Sequence, residues 1–116
     1  MRYGNNKKIG FSEETIEMSE ILKAFGHPAR LEIVKFLYNS PSCICGDIVE
    51  FLPLSQSTVS KHLSELKKAG IIKGIISGNS ICYCLDEKTI KKLRDFITII
   101  QTNIQNNSCS PESGCC

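Results

Sequence analysis

The chain has 116 residues, 41% of them hydrophobic and 22% charged, which fits a single packed domain and excludes a largely disordered protein. It contains no apolar run of roughly eighteen residues and no signal-peptide pattern, so we expect a cytoplasmic protein with no membrane partner. The formal net charge of +2 is too small to indicate a nucleic-acid partner by itself.

The first predicted elements are a flexible N-terminal arm and two helices. The arm covers residues 1–11, and the first helix begins after Ser12, a good N-cap residue. Gly26 ends that helix, and Pro28 occupies the first position of the second helix, where its missing N–H costs nothing.

A short extended segment and two further helices follow. Residues 43–45 are predicted to be extended, and residues 46–52 are predicted to form a helix that Pro53 terminates. Ser55 is expected to cap the next helix, which runs to Ala69 and ends at a glycine.

The pattern then changes to that of a β-hairpin. Residues 71–76 and 81–85 are strand-like, and a turn at residues 77–80 separates them. Helix, turn, helix and hairpin in this order predict a winged helix-turn-helix, a mainly α fold with a small β-hairpin wing.

A last helix is predicted from Asp86 or Thr89 to about Asn103. Its apolar face is broader than one small domain needs, so we expect a homodimer in which a second copy covers it. The domain is expected to span residues 12–105, and a flexible cysteine-containing tail to span residues 106–116.

The helix between Ser55 and Ala69 is the candidate DNA-reading element. Small polar side chains crowd its start, and four lysines but one acidic residue lie between residues 53 and 80. An ordinary helical bundle with a polar face remains the alternative interpretation. The candidate DNA contacts are Gln56, Ser57, Thr58, Ser60, Lys61, His62, Lys67, Lys68 and Lys73.

Two segments resemble a known family. The run at residues 54–72, LSQSTVSKHLSELKKAGII, closely resembles the recognition region of the ArsR-type metalloregulators, and residues 24–33, AFGHPARLEI, are similar to that family's second-helix opening. The resemblance implies a homodimeric winged-helix repressor that leaves double-stranded operator DNA when an inducer binds. It also implies that the first and last helices form the dimer interface.

Cysteines are the candidate inducer ligands. The chain has seven of them, which we expect to be reduced, and thiolates select soft ions such as trivalent arsenic or antimony. If the short extended segment pairs with the second wing strand, four thiolates come together. They are Cys43, Cys45, Cys82 and Cys84.

The Cys-x-Cys pair at residues 43–45 is also similar to the pair that arsenite- and cadmium-responsive family members place before Asp-Leu. Here Gly46 shifts the pair by one residue. The resemblance offers the tail as an alternative or additional site, formed by Cys109, Cys115 and Cys116. Residues 86–105 contain no histidine, so the zinc-sensing site of the family is not expected.

The predicted function is therefore a repressor that dissociates from its operator when arsenite or antimonite binds cysteine thiolates. A thiol redox or persulfide sensor of the same fold, or a cadmium- or lead-type sensor, are the alternatives. A thiol enzyme or metal carrier lacks a base paired with a nucleophile in this sequence, so no enzyme activity and no organic cofactor are expected. A structural zinc protein, unlike a sensor, would unfold with a chelator.

Overall fold

The computed structural model describes residues 10–40, 42–45 and 48–107. It confirms the winged helix-turn-helix, since these residues form four α-helices, one 3-10 turn and a small antiparallel sheet. The elements are α1 (Glu13–Phe25), α2 (Pro28–Tyr38), β1 (Ile44–Cys45), the 3-10 turn (Ile48–Phe51), α3 (Gln56–Lys68), β2 (Ile72–Ser77), β3 (Ser80–Leu85) and α4 (Glu87–Asn107).

The ends of α1 and α2 follow from their capping residues. The Ser12 hydroxyl accepts a hydrogen bond from the backbone N–H of Thr15, which satisfies one free donor at the start of α1. Gly26 is the C-cap of α1, and His27 caps α2 by accepting from the N–H of Ala29.

Gly70 makes the junction between α3 and the wing. Its N–H donates to the Lys67 carbonyl and the N–H of Ile71 donates to the Leu66 carbonyl, the hydrogen-bond pattern of a Schellman motif. The motif needs a left-handed residue, and Gly70 has φ of 82°. The glycine after α3 therefore turns the chain directly into β2.

Two helix predictions differ from the structure in extent. The described part of the segment predicted as a helix at 46–52 is the 3-10 turn, since a single turn ending before Pro53 gains few i→i+4 hydrogen bonds. Residues 46 and 47 lie outside the described part of the chain. The last helix begins at Glu87 and continues to Asn107, past the predicted end, because no glycine or proline interrupts it.

The sheet has the order β1-β3-β2, with both pairings antiparallel. One face of the sheet carries Ile44, Ile72, Tyr83 and Leu85, which lie in or against the hydrophobic core. The other face carries the cysteines of β3.

The core lies between α2, α3 and the sheet. The largest fully buried side chains are Ile33, Val59, Leu66, Ile71 and Ile72. Helix α4 has no buried residue in the single chain. No helix in the described ranges is both long and apolar enough to cross a membrane.

Candidate DNA-binding surface and cysteine site

The recognition helix α3 separates its polar and apolar side chains onto two faces. Val59, Leu63 and Leu66 are buried with His62, and the remaining predicted DNA contacts lie outside this buried set. Thr58 is half-buried, and the exposed residues are Gln56, Ser57, Ser60, Lys61, Lys67 and Lys68. The exposed face thus offers hydroxyl, amide and ammonium groups, which suit base edges and phosphates.

The two lysines beside the wing lie on different sides of it. The Lys67 ammonium is 3.4 Å from the position that a Cβ on Gly74 would take, so Lys67 covers that face of β2. Lys73 precedes Gly74 on the strand and therefore projects from the opposite face, where it pairs with Cys84 in the sheet register. Lys67 and Lys73 therefore lie on opposite faces of the wing.

His62 differs from the other predicted DNA contacts because its side chain is only 8% exposed. Its Nδ1 atom accepts a hydrogen bond from Nε of Arg30 at 3.2 Å, and the His27 ring lies 4.4 Å away, centroid to centroid. Burial first, and then the charges of His27, Arg30 and Lys61, lower the pKa of His62. The neutral imidazole is therefore the favoured form in the fold.

His27 is the N-cap of α2, and Arg30 is not among the functional residues predicted from the sequence. A signal for the buried histidine was present. His62 lies three residues after Val59 and four before Leu66, the spacing of one helix face. Nothing comparable in the sequence marks Arg30, because its contact joins residues 32 positions apart.

Strand pairing brings the two Cys-x-Cys segments together. The predicted pairing of the short extended segment with the second wing strand is confirmed, with Cys45 opposite Cys82 in the register. Cys43 and Cys84 form a disulfide whose Cα atoms are 4.6 Å apart. The sequence predicted reduced thiols, whereas in the structure Cys43 and Cys84 are oxidised to a disulfide.

Cys82 is also disulfide-bonded and is 5% exposed. Within the described part of the chain, no group of three or more His, Cys, Asp or Glu side chains is arranged to hold a metal ion. Thiolates are the metal-binding form of cysteine, so sulfurs joined in disulfides do not present such a group. The side chain of Cys45 and the whole of Cys109, Cys115 and Cys116 lie outside the described residues.

A helix-turn-helix with an exposed polar recognition helix, followed by a hairpin wing, defines a DNA-binding protein of the winged-helix class. Residues 27–73 match the family model described as "Bacterial regulatory protein, arsR family". This match, together with an arsenical resistance repressor that is 33% identical over 86% of this chain, shows that the chain belongs to the arsR family of DNA-binding transcriptional repressors.

One relative is an uncharacterized HTH-type transcriptional regulator of Methanocaldococcus jannaschii, 40% identical over 70% of this chain and 91% of its own length. Another is the arsenical resistance operon repressor of Staphylococcus xylosus, 33% identical over 86% of this chain and 96% of its own length. Among solved structures, an ArsR-like transcriptional regulator from Rhodococcus sp. RHA1 shares the fold, with a TM-score of 0.67 and 21% identity over 78% of this chain and 85% of that one. These relatives are named as regulators or repressors and not as enzymes.

Proposed function

We propose that the chain binds operator DNA as a homodimer and dissociates when arsenite or antimonite binds its cysteine thiolates. The observation that carries the proposal is the contact between the sulfurs of Cys43 and Cys84 across the β1–β3 pairing. The name of the Staphylococcus xylosus relative, an arsenical resistance operon repressor, supports the choice of inducer.

The donor set suits a trivalent arsenic or antimony ion once the disulfides of Cys43, Cys82 and Cys84 are reduced. In the proposed site Cys84 on β3 and Cys43, just before β1, then supply two soft thiolates, and Cys82 or Cys45 supplies the third. Cadmium or lead would use the same sulfurs, so the choice among thiophilic ions rests on coordination number.

The position of these cysteines connects the inducer to the DNA-reading unit. Strand β1 precedes the 3-10 turn that begins the helix-turn-helix, and β3 is the second strand of the wing. An ion bound between β1 and β3 therefore connects the wing to the segment that leads into the helix-turn-helix. Release of DNA requires that the ion bind the DNA-incompetent arrangement more tightly than the competent one.

The homodimer is proposed from the apolar surface of α4. Ile97, Ile100 and Ile104 are 50%, 42% and 64% exposed in the single chain, and their spacing puts them on one side of the helix. A second copy would cover them, and to read DNA the dimer must hold its two recognition helices about 34 Å apart, the distance between successive major grooves.

The test is operator release by arsenite, measured with fully reduced protein in the absence of oxygen. Wild type is expected to release DNA at stoichiometric arsenite, while Cys43→Ser and Cys84→Ser are expected to stay bound. The matched control replaces Cys109, Cys115 and Cys116 by serine together. If that variant stays bound and the strand variants still release, the inducer site lies in the tail.

The disulfide favours a second candidate, a thiol redox repressor. In this version hydrogen peroxide takes two electrons and two protons from the Cys43 and Cys84 thiols, giving the disulfide and two waters. Peroxide without arsenite is then expected to release wild type, to leave Cys84→Ser bound, and to be reversed by a thiol reductant. An oxidised protein that retains full operator affinity would remove this candidate.

A further inference from the structure

A single guanidinium connects the first three helices beneath the recognition helix. Nε of Arg30, in the first turns of α2, donates to Nδ1 of His62 on the buried side of α3 at 3.2 Å. Nη1 of the same side chain donates to the Ala24 carbonyl near the end of α1 at 3.5 Å. The position of α3 relative to α2 therefore depends on a polar contact as well as on aliphatic packing.

His27 completes this arrangement from the start of α2. Its ring is tilted by 49° to the His62 ring at a centroid distance of 4.4 Å, and its own Nδ1 accepts from the N–H of Ala29 at 3.0 Å. Because the Nδ1 atom of His62 accepts from the Arg30 guanidinium, the His62 imidazole is neutral here and carries its proton on Nε2. Protonation of His62 would remove the acceptor that Arg30 uses.

We propose that Arg30, His62 and His27 form a positioning clamp that holds the recognition helix in its DNA-binding orientation and opens when His62 is protonated. His62 then acts on DNA affinity through the position of α3 and not by touching DNA. The proposal rests on the operator-binding part of the proposed function and is independent of the cysteine site.

The charges around His62 determine whether acidification strengthens or weakens the clamp. His62 is buried, and the charged or titratable groups that act on it are His27 and Arg30 at the start of α2 and Lys61 on α3, all of which oppose an imidazolium. From α1 the contact is the uncharged Ala24 carbonyl, held by Arg30. Acidification therefore replaces a hydrogen bond by repulsion between cations.

This direction is opposite to that of a histidine that contacts phosphate. A phosphate contact gains a positive charge on acidification, so DNA binding would strengthen. A positioning clamp that opens on acidification would instead weaken DNA binding over the same pH range. The chain has only two histidines, His27 and His62, and no other side-chain type ordinarily titrates between about pH 7.5 and about pH 5.5.

The experiment measures the operator Kd by fluorescence anisotropy at about pH 7.5 and about pH 5.5, at constant salt, with reductant and without any metalloid. The probe is a duplex recovered by wild-type protein from a random pool of roughly 30 base pairs, long enough for two half-sites. Wild type is expected to bind about tenfold more weakly at the lower pH, the loss of one charge-assisted hydrogen bond. Tighter binding at the lower pH overturns the proposal.

His62→Gln is the decisive variant because glutamine is a neutral acceptor at both pH values. It is expected to bind within about threefold of wild type at the higher pH and to lose most of the pH dependence, which mere loss of packing would not produce. Arg30→Ala is expected to weaken binding about tenfold at the higher pH. His27→Asn keeps a capping acceptor but removes the ring that packs on His62, and is expected to weaken binding at the higher pH less than Arg30→Ala does.

Nitrogen NMR of the histidine rings tests the clamp without DNA. The expected spectrum at about pH 7.5 shows His62 neutral with its proton on Nε2, and a His62 pKa that rises in Arg30→Ala because a neighbouring cation is gone. A proton on Nδ1 overturns the clamp even if no duplex is recovered. Failure of arsenite to release the operator would leave the clamp intact, so the two proposals fail separately.

Discussion

At the scale of single residues, the buried histidine couples folding to pH. The pKa of His62 is lowered in the fold, so the unfolded chain binds more protons near pH 6. Its contribution to stability is therefore complete above the unfolded pKa of about 6.5 and is lost as pH falls toward the lower folded pKa. The free energy of unfolding in urea is expected to fall between about pH 7.5 and about pH 5.5, and His62→Gln is expected to reduce that fall.

Ser60→Ala, on the exposed side of the same helix, is the control for this measurement and should keep the wild-type pH dependence. An equal fall in wild type and His62→Gln would mean that another group carries the dependence.

At the scale of elements, the joint between α3 and the wing depends on Gly70. An alanine at position 70 would have to adopt the left-handed backbone conformation, at a cost of about 1–2 kcal/mol. Its Cβ would also lie 3.1 Å from Oγ1 of Thr89. Gly70→Ala is therefore expected to destabilise the fold by roughly 1–3 kcal/mol, measured as a lower urea midpoint with an unchanged m-value.

Gly78→Ala separates the two causes, since Gly78 has φ of 63° but no atom within 4 Å of the added Cβ. It should cost only the backbone part, so a loss as large as that of Gly70→Ala would contradict the contribution of crowding by Thr89.

The same scale shows which elements the sequence can predict. The starts of α1, α2 and α3 follow from Ser12, Pro28 and Ser55, because a cap acts within a few residues of itself. The far end of α4 lacks such a local signal, and the helix passes the predicted Asn103 to reach Asn107. The paired strands were predicted from topology, whereas the Cys43–Cys84 bond spans 41 residues and depends on the register, which the sequence pattern leaves open.

At the scale of the whole molecule, α4 is a helix whose apolar side the single chain covers only in part, since Ile90 packs against the core but Ile97, Ile100 and Ile104 are exposed. Near it, the Lys92 ammonium on α4 lies 3.0 Å from the Glu17 carboxylate on α1, an exposed pair that ties the helix only weakly to the body. The proposed dimer supplies the missing apolar contacts, since each buried isoleucine contributes about 1.5–3 kcal/mol. Loss of one such contact should therefore be visible as dissociation.

Ile100→Asp tests this proposal, because it puts a carboxylate in the middle of the proposed interface. We expect its dimer dissociation constant, from sedimentation equilibrium, to rise at least about tenfold, and its operator affinity to fall with it because one recognition helix alone reads one half-site. Ile76→Asp adds the same charge on the wing, where Ile76 is 80% exposed, and is expected to keep the wild-type mass. If Ile100→Asp also keeps the wild-type mass, α4 is not the dimer interface, and its apolar side must meet some other surface.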